Sequence, residues 1–169
     1  MKLFKALKED LNTYDGNRWA PGYRVMRVYR FGRWRYKFNN PIIRKPLSLL
    51  YRILHRRIIS ITGIELPSEV PVGDGTRIDH HSDIIISGYA KIGKRCILRS
   101  GVTIGLKNVE HHLAPTIGDD VDIGCGAKIL GNITIGNNVK IGANAVVLQD
   151  VPDNCLAVGI PAKIINKNE

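Results

Sequence analysis

Histidine and carboxylate side chains are the residues of this sequence best suited to chemistry, and four of the histidines form two adjacent pairs. His80 is followed by His81, and His111 by His112. An unperturbed imidazole titrates at about pH 6.5, so a histidine can take the proton from a hydroxyl group as that group attacks. Neighbouring side chains of an extended segment point to opposite sides, so only one of His80 and His81 can face a given cleft. This pair therefore offers one candidate general base.

A metal site is the main alternative for these histidines, and their spacing argues against it. Neither pair has the i, i+2 or i, i+4 spacing of common ligand sets, and no cysteine accompanies them. Cys96, Cys125 and Cys155 are odd in number, far apart and without a Cys-x-x-Cys motif. We therefore expect no metal and no disulfide framework, and a reduced cytoplasmic setting.

The elements that must position these residues repeat every six residues after Gly63. The aliphatic residues that carry this period are Ile92, Leu98, Ile104, Ile117, Ile123, Ile129, Ile135, Ile141 and Val147. Neither the 3.6-residue period of a helix nor the 2.0-residue period of a strand produces it. Three such hexads close a triangular coil, and successive coils stack about 4.8 Å apart with the aliphatic side chains inside. The sequence predicts a mainly β fold, a parallel β-helix of hexapeptide repeats over residues 63–169.

Two irregularities interrupt the period. The step from Ile104 to Ile117 is too long for one hexad, so we expect residues 105–116 to form a loop that leaves the coil and carries His111 and His112. Upstream, the period slips by two residues before Ile92. Loops on a rigid scaffold often carry binding and catalysis, which makes the 105–116 loop a candidate part of a site.

Residues 1–62 differ in composition from the rest of the chain and are predicted to form a basic segment of short helices. Lys and Arg outnumber Asp and Glu by 15 to 3 in residues 1–60, whereas residues 61–169 hold 10 against 12. Such a basic segment could bind nucleic acid, anionic lipid or acidic carbohydrate, since each carries a dense array of negative charge. We favour helices that pack on the rest of the protein with a solvated basic face, and we expect no nucleic-acid partner.

The last of these helices is amphipathic and basic. From Ile42 onward, one stripe is formed by Leu47, Leu50, Ile53, Leu54, Ile58 and Ile61. Such a helix can cap the open end of a β-helix or lie on a membrane surface. Capping is the preferred interpretation, and peripheral contact at the inner face of the membrane stays open. No signal peptide or membrane span is expected in this sequence.

The chain resembles the hexapeptide-repeat acyltransferases, and within them the serine acetyltransferase branch. The motif Ile78-Asp79-His80-His81 resembles that branch's catalytic-histidine segment, Gly101-Val102-Thr103-Ile104-Gly105 its acetyl-CoA-side motif, and residues 124–165 its C-terminal signature. In length and layout the chain is more similar to short exopolysaccharide acetyltransferases of the colanic-acid type. The resemblance implies a left-handed coil, a homotrimer with active sites between subunits, and acetyl-CoA as the acetyl donor.

The resemblance also assigns roles to residues. It selects His80 as the general base, and we expect Glu65 or Asp79 to orient its imidazole. It places Gly105, Cys125 and Ala145 on the donor's path along the prism, where Lys140 and Lys163 would neutralise coenzyme phosphates. Three of the other four histidines are assigned to the acceptor side of the site: His81, His111 and His112.

Two departures from the branch's pattern bear on the acceptor. Leu113-Ala114-Pro115 stands where serine acetyltransferases carry an Arg-His pair, and Glu65-Leu66-Pro67 replaces their Asp-Ile-His-Pro motif. An unpaired, desolvated carboxylate costs several kcal/mol, so the missing cation favours an acceptor other than serine. We therefore expect a sugar hydroxyl in surface polysaccharide biosynthesis, with serine acetylation in cysteine synthesis as the alternative. A non-catalytic hexapeptide-repeat scaffold is the third interpretation.

Overall fold

The structure, a computed structural model, describes residues 3–80, 82–108, 110 and 112–166. It begins with three α-helices, α1 (Leu3–Asn12), α2 (Pro21–Trp34) and α3 (Pro41–Thr62), and a 3-10 turn at Arg35–Lys37 follows α2. Pro41 opens α3, where its missing N–H is not needed, and the Asn40 side chain accepts a hydrogen bond from the Ile42 backbone N–H. Gly63 ends α3 in the left-handed conformation, at φ 65°. The predicted helical N-terminal segment is confirmed.

The rest of the described chain folds into short strands that wind as a left-handed β-helix. They are β1 (Ile64–Glu65), β2 (Arg77–Ile78), β3 (Ile84–Ile86), β4 (Lys91–Ile92), β5 (Ile97–Leu98), β6 (Thr103–Gly105), β7 (Thr116–Ile117), β8 (Asp122–Ile123), β9 (Lys128–Leu130), β10 (Thr134–Ile135), β11 (Lys140–Ile141), β12 (Val146–Val147), β13 (Cys155–Val158) and β14 (Lys163–Asn166). Sheet 1 contains β1, β3, β6, β9 and β12, sheet 2 contains β4, β7 and β10, and sheet 3 contains β2, β5, β8, β11, β13 and β14. All pairs are parallel except β13 with β14. The predicted fold class is confirmed.

The hexad aliphatic residues form the interior of the prism. In sheet 1, Ile104 pairs with Ile129 and Ile129 with Val147, and none of the three is exposed to solvent. Each buried side chain of this size contributes about 1.5–3 kcal/mol relative to an exposed one. The neighbouring residues Thr103 and Lys128 point outward on the same strands. This alternation is why one aliphatic residue per hexad is enough to specify the core.

The register shows where the two irregularities lie. A regular coil contains 18 residues, as in the pairing of Lys128 with Val146. The pairing of Thr103 with Lys128 spans 25 residues, so the 105–116 segment adds seven to its coil. Ile86, rather than Ile84, pairs with Ile104, so the two-residue slip lies between Ile78 and Ile86 and not after Ile84 as the sequence suggested. The extra residues therefore fall in the turn that contains His80.

The helices close the N-terminal end of the prism. Tyr29 of α2 donates a hydrogen bond from Oη to the Val70 carbonyl at 2.6 Å and accepts one from the Val72 N–H at 3.0 Å. Arg30 is fully buried, forms a bidentate ion pair with Asp10 of α1, and donates to the carbonyl of Val72. These contacts tie α1 and α2 to the first coil, so α2 caps this end of the prism, whereas capping was expected of the helix that follows Ile42.

Helix α3 contacts the core along a narrower face than the sequence suggested. Tyr51, Ile58 and Thr62 are buried, whereas Ile53 is 57% exposed and Ile61 is 49% exposed. The expected single apolar stripe is therefore divided, because the helix is apolar on two sides and only one of them packs. No helix in the described part of the chain is long and apolar enough to cross a membrane.

Candidate active site

His80 lies in an expanded turn at the corner where sheet 3 passes into sheet 1, which we call the His80 edge. The imidazole is exposed, and the backbone of His80 has φ 57°. A left-handed conformation costs a residue with a Cβ roughly 1–2 kcal/mol, so the surroundings must hold the turn in place. Asp83, at the end of the same turn, is also left-handed, at φ 53°. The two-residue insertion thus lifts a histidine out of the regular coil into solvent-accessible space.

Three elements hold this turn from the side of the helices. Tyr14, which follows α1, accepts a hydrogen bond from the Ile78 backbone N–H at 2.8 Å, and burial raises the pKa of its phenol. A Cβ on Gly22 of α2 would lie 2.2 Å from the Ile78 carbonyl oxygen, so this position requires glycine. Gly63 sits over the far side of the turn, where a Cβ would lie 3.1 Å from the Asp83 nitrogen. The sequence reasoning missed these positioning residues, because nothing in their spacing links them to His80.

The two candidate orienting carboxylates occupy different surroundings. Asp79 forms an ion pair with Arg77, two residues earlier on the same side of the strand. Glu65 is exposed on the outer face of sheet 1, where β1 pairs with the β3 strand that directly follows the His80 turn. In the described chain no hydrogen bond or ion pair joins either carboxylate to His80. Glu65 is free of competing partners there, which makes it the better candidate to orient the base.

The 105–116 loop leaves the prism at the corner between sheets 1 and 2, the loop edge. Its residue His112 stacks on Tyr89, with ring centroids 4.8 Å apart and an interplanar angle of 24°. His81 and His111, the other two acceptor-side candidates, lie outside the described residues. In one chain the loop edge and the His80 edge are opposite margins of sheet 1. The structure therefore does not bring His112 next to His80 within one copy of the chain.

The predicted donor-binding residues divide between the same two edges. Cys125 is half-buried at the His80 edge, two coils or about 10 Å beyond the His80 turn. Lys140 in β11 and Lys163 in β14 are exposed on strands that adjoin this edge still further along. Ala145 lies inside the corner, with no exposed surface and with both backbone polar groups hydrogen-bonded within the coils. Gly105 is buried at the loop edge, where its carbonyl accepts from Gly131.

This arrangement can support base-catalysed group transfer along the His80 edge. An exposed imidazole stands at one end, a row of corner positions with little side-chain bulk follows, and two lysines flank its far end. Among the described residues, no group of three His, Cys, Asp or Glu side chains is placed to hold a metal ion. The three cysteines are free thiols. These features define an acyltransferase of the hexapeptide-repeat class.

Comparison with known proteins places the chain more closely. The family model described as "Bacterial transferase hexapeptide (six repeats)" matches residues 114–149. Serine acetyltransferase of Helicobacter pylori (strain ATCC 700392 / 26695) is 38% identical over 175 residues, which cover 98% of this chain and 95% of that protein. The chain belongs to the serine acetyltransferase family, and it is an O-acetyltransferase that uses acetyl-CoA.

Other relatives agree with this assignment. Serine acetyltransferase of Synechococcus elongatus is 39% identical over 151 residues, and this chain matches 58% of that longer protein. The solved structure "Soybean Serine Acetyltransferase Complexed with Serine" superimposes with a TM-score of 0.84 at 31% identity, covering 96% of this chain and 69% of that one. The N-terminal helices therefore belong to the shared fold.

These relatives correct the acceptor expected from the sequence. The prediction of a sugar hydroxyl in surface polysaccharide biosynthesis is wrong, because the relatives at 38–39% identity are serine acetyltransferases. The prediction rested on the missing Arg-His pair at positions 113 and 114, with His111 or His112 as the alternative partner of a serine carboxylate. Leu113 is half-exposed and Ala114 packs against the core, so neither is a clamp, but the loop also carries histidines.

Proposed function

We propose that this protein transfers the acetyl group of acetyl-CoA to the hydroxyl of serine. The observation that carries the proposal is the extent of the match to the Helicobacter pylori enzyme, which includes nearly the whole of both chains. The matched region contains the helices, the His80 turn and the 105–116 loop. A shared fold alone would not specify the acceptor, whereas 38% identity over nearly the whole of both chains supports serine.

His80 is the proposed general base. Its imidazole removes the proton of the serine hydroxyl as the serine oxygen attacks the thioester carbonyl, and the tetrahedral intermediate then expels the coenzyme sulfur. The imidazolium returns its proton to the departing thiolate, so the products are O-acetylserine and free coenzyme A. Glu65 is proposed to orient the ring and to stabilise its charged form, with Asp79 as the second candidate.

We further propose that the working enzyme is a cytoplasmic homotrimer in which each site is shared between two copies. The reason is geometric: His80 and the loop lie on opposite margins of sheet 1, and a second copy can bring its loop edge to the His80 edge of the first. Donor candidates Gly105 and Cys125 are divided in the same way. The free thiols suit a reducing compartment. Light scattering at micromolar concentration should give the mass of three chains, and an active monomer would contradict the shared site.

The acceptor carboxylate also needs a partner, and the proposed source is the histidine set His81, His111 and His112. A protonated imidazole can take the place of the arginine that positions 113 and 114 lack. Tyr89 stacks on His112 and so fixes one part of the loop. Single alanine variants of the three histidines, read by the KM for serine, rank their contributions.

Coenzyme A release tests the proposal directly. We expect saturable release with L-serine and acetyl-CoA, and only background release when L-alanine, which lacks the hydroxyl, replaces serine. His80→Ala should lower kcat by roughly 10²- to 10⁴-fold, the usual contribution of a general base. His55→Ala is the matched control, because His55 is a histidine of α3 with no role in the proposed reaction. Its Nε2 lies 3.3 Å from the Leu66 carbonyl oxygen. Serine-independent release, or near-normal turnover in His80→Ala, would refute the proposed reaction or its base.

A further inference from the structure

We infer that the outward face of α3 binds the surface of an anionic phospholipid membrane. Tyr51, Ile58 and Thr62 face the core and are buried. An aliphatic residue lies nine positions before each of these three. Nine residues make two and a half turns of helix, so these aliphatic side chains form a second row that points directly away from the core. The outward row consists of Ile42, Leu49 and Ile53.

The outward row is uncovered by the rest of the described chain. Its three side chains are 81%, 54% and 57% exposed, in the order given. Ile43, Leu50 and Ile61 add exposed aliphatic surface beside it. Isolated exposed aliphatic residues are common on soluble proteins, but a contiguous stripe along a six-turn helix marks a contact surface.

A row of cations flanks the outward row. Lys45, Arg52 and Arg56 each follow a member of the outward row by three residues, which places them about 60° around the helix. The α3 sequence contains no Asp or Glu, and within the described chain none of its five Lys and Arg side chains forms an ion pair. An aliphatic row beside unpaired cations matches an interfacial helix, whose apolar face enters the acyl boundary while its cations contact anionic headgroups.

Charge and chemistry favour lipid over the other occupants. A second copy of α3 would set the three flanking cations, Lys45, Arg52 and Arg56, against three more, which is repulsive. The phosphates of a nucleic acid would pair with the cations, but its bases stack on aromatic rings. Because the outward row is aliphatic, it offers no such stacking surface. A lipid surface uses both features at once.

Vesicle co-sedimentation of the full chain tests this inference independently of its enzymatic activity. The probes are phosphatidylcholine vesicles with and without one quarter phosphatidylglycerol, at low and high salt. We expect binding to the anionic vesicles only, weakened by salt. The triple variant Ile42→Ser, Leu49→Ser, Ile53→Ser should bind at least tenfold more weakly. The matched control replaces two exposed aliphatic residues of the β-helix, Leu148→Ser and Ile165→Ser, and should bind as the original chain does.

Circular dichroism and serine-dependent turnover should be unchanged in the triple variant, since its side chains are exposed, and this separates lost binding from lost folding. Four outcomes would overturn the inference. These are no binding to anionic vesicles at low salt, equal binding to neutral vesicles, retained binding in the triple variant, and a smaller mass of the triple variant in light scattering. The last result would assign the face to a second copy. Binding of an oligonucleotide that the triple variant retains, without vesicle binding, would assign the basic segment to nucleic acid.

Discussion

Replacing Tyr14 by phenylalanine measures how firmly the N-terminal helices hold the His80 turn. The Tyr14 hydroxyl accepts the Ile78 N–H at 2.8 Å in a buried position, and its ring packs against Tyr23 with centroids 6.0 Å apart. Phenylalanine keeps the ring contact and leaves the buried N–H without an acceptor, which costs about 1–3 kcal/mol. Each kcal/mol should lower the melting temperature by roughly 2–4 °C in a chain of this size. Because Ile78 lies two residues before His80, kcat should fall as well, with a smaller change in the KM for acetyl-CoA.

Urea unfolding and steady-state kinetics on the same preparations provide the readout. Tyr23→Phe is the matched control, because its hydroxyl lies 3.5 Å from the Leu7 carbonyl in a partly buried position, and its loss should cost less than about 0.5 kcal/mol. If Tyr14→Phe destabilises no more than Tyr23→Phe, the hydrogen bond to Ile78 does not hold the turn. An unchanged kcat in a clearly destabilised variant would separate the stability of the helical cap from catalysis.

Three further predictions follow from buried or stacked groups. Asp10→Asn should lower the free energy of unfolding in urea by about 3–5 kcal/mol, because it leaves the Arg30 cation buried without its partner. Replacing both Asp10 and Arg30 by apolar residues should destabilise the fold less. A double variant less stable than Asp10→Asn would contradict this account. Burial raises the pKa of Cys96 to about 11, above its ordinary value of 9.0, so the neutral thiol favours the native state below about pH 9 and this contribution is lost as the pH rises towards 11. Iodoacetamide at pH 8 should therefore label Cys125 before Cys96, as read by mass spectrometry. Acetyl-CoA, whose sulfur is a thioester and does not consume the reagent, should slow the labelling of Cys125 if the donor follows the His80 edge. Tyr89→Ala should raise the KM for serine several-fold and leave that for acetyl-CoA unchanged, whereas Tyr89→Phe, which keeps the stacking ring, should behave normally.

The coil itself could be predicted from the sequence because its rule is local. An aliphatic residue every sixth position, from Ile117 to Val147, can be satisfied by a triangular coil and by neither a helix nor a flat strand. The position of the slip could not be predicted, since Ile84 and Ile86 are both aliphatic and both buried. Only the pairing of Ile86 with Ile104 shows that the additional residues belong to the His80 turn.

The site was less predictable, because its parts meet through contacts between distant segments. The motif around His80 indicated the proposed base, but the support from Tyr14 and Gly22 depends on how α1 and α2 dock, and helix periodicity carries no such information. The acceptor was misjudged for a related reason. The absence of a cation at Leu113 and Ala114 is a local observation. The carboxylate of serine can pair with any cationic side chain that the loop or a neighbouring copy brings near.

The antiparallel strand β14 also protects one end of the β-helix from pairing with the end of another. Every coil of a parallel prism ends in open hydrogen-bonding groups on three faces, so an unprotected end is a template on which another prism could continue, as in a fibre. At the N-terminal end, Tyr29 and Arg30 occupy the carbonyls of Val70 and Val72. At the other end, β14 reverses direction across β13 and presents the exposed, charged Lys163 on its strand. A further coil would need parallel edges on all three faces, and on the face of sheet 3 β14 offers an antiparallel edge, so β14 blocks parallel continuation of the stack on that face.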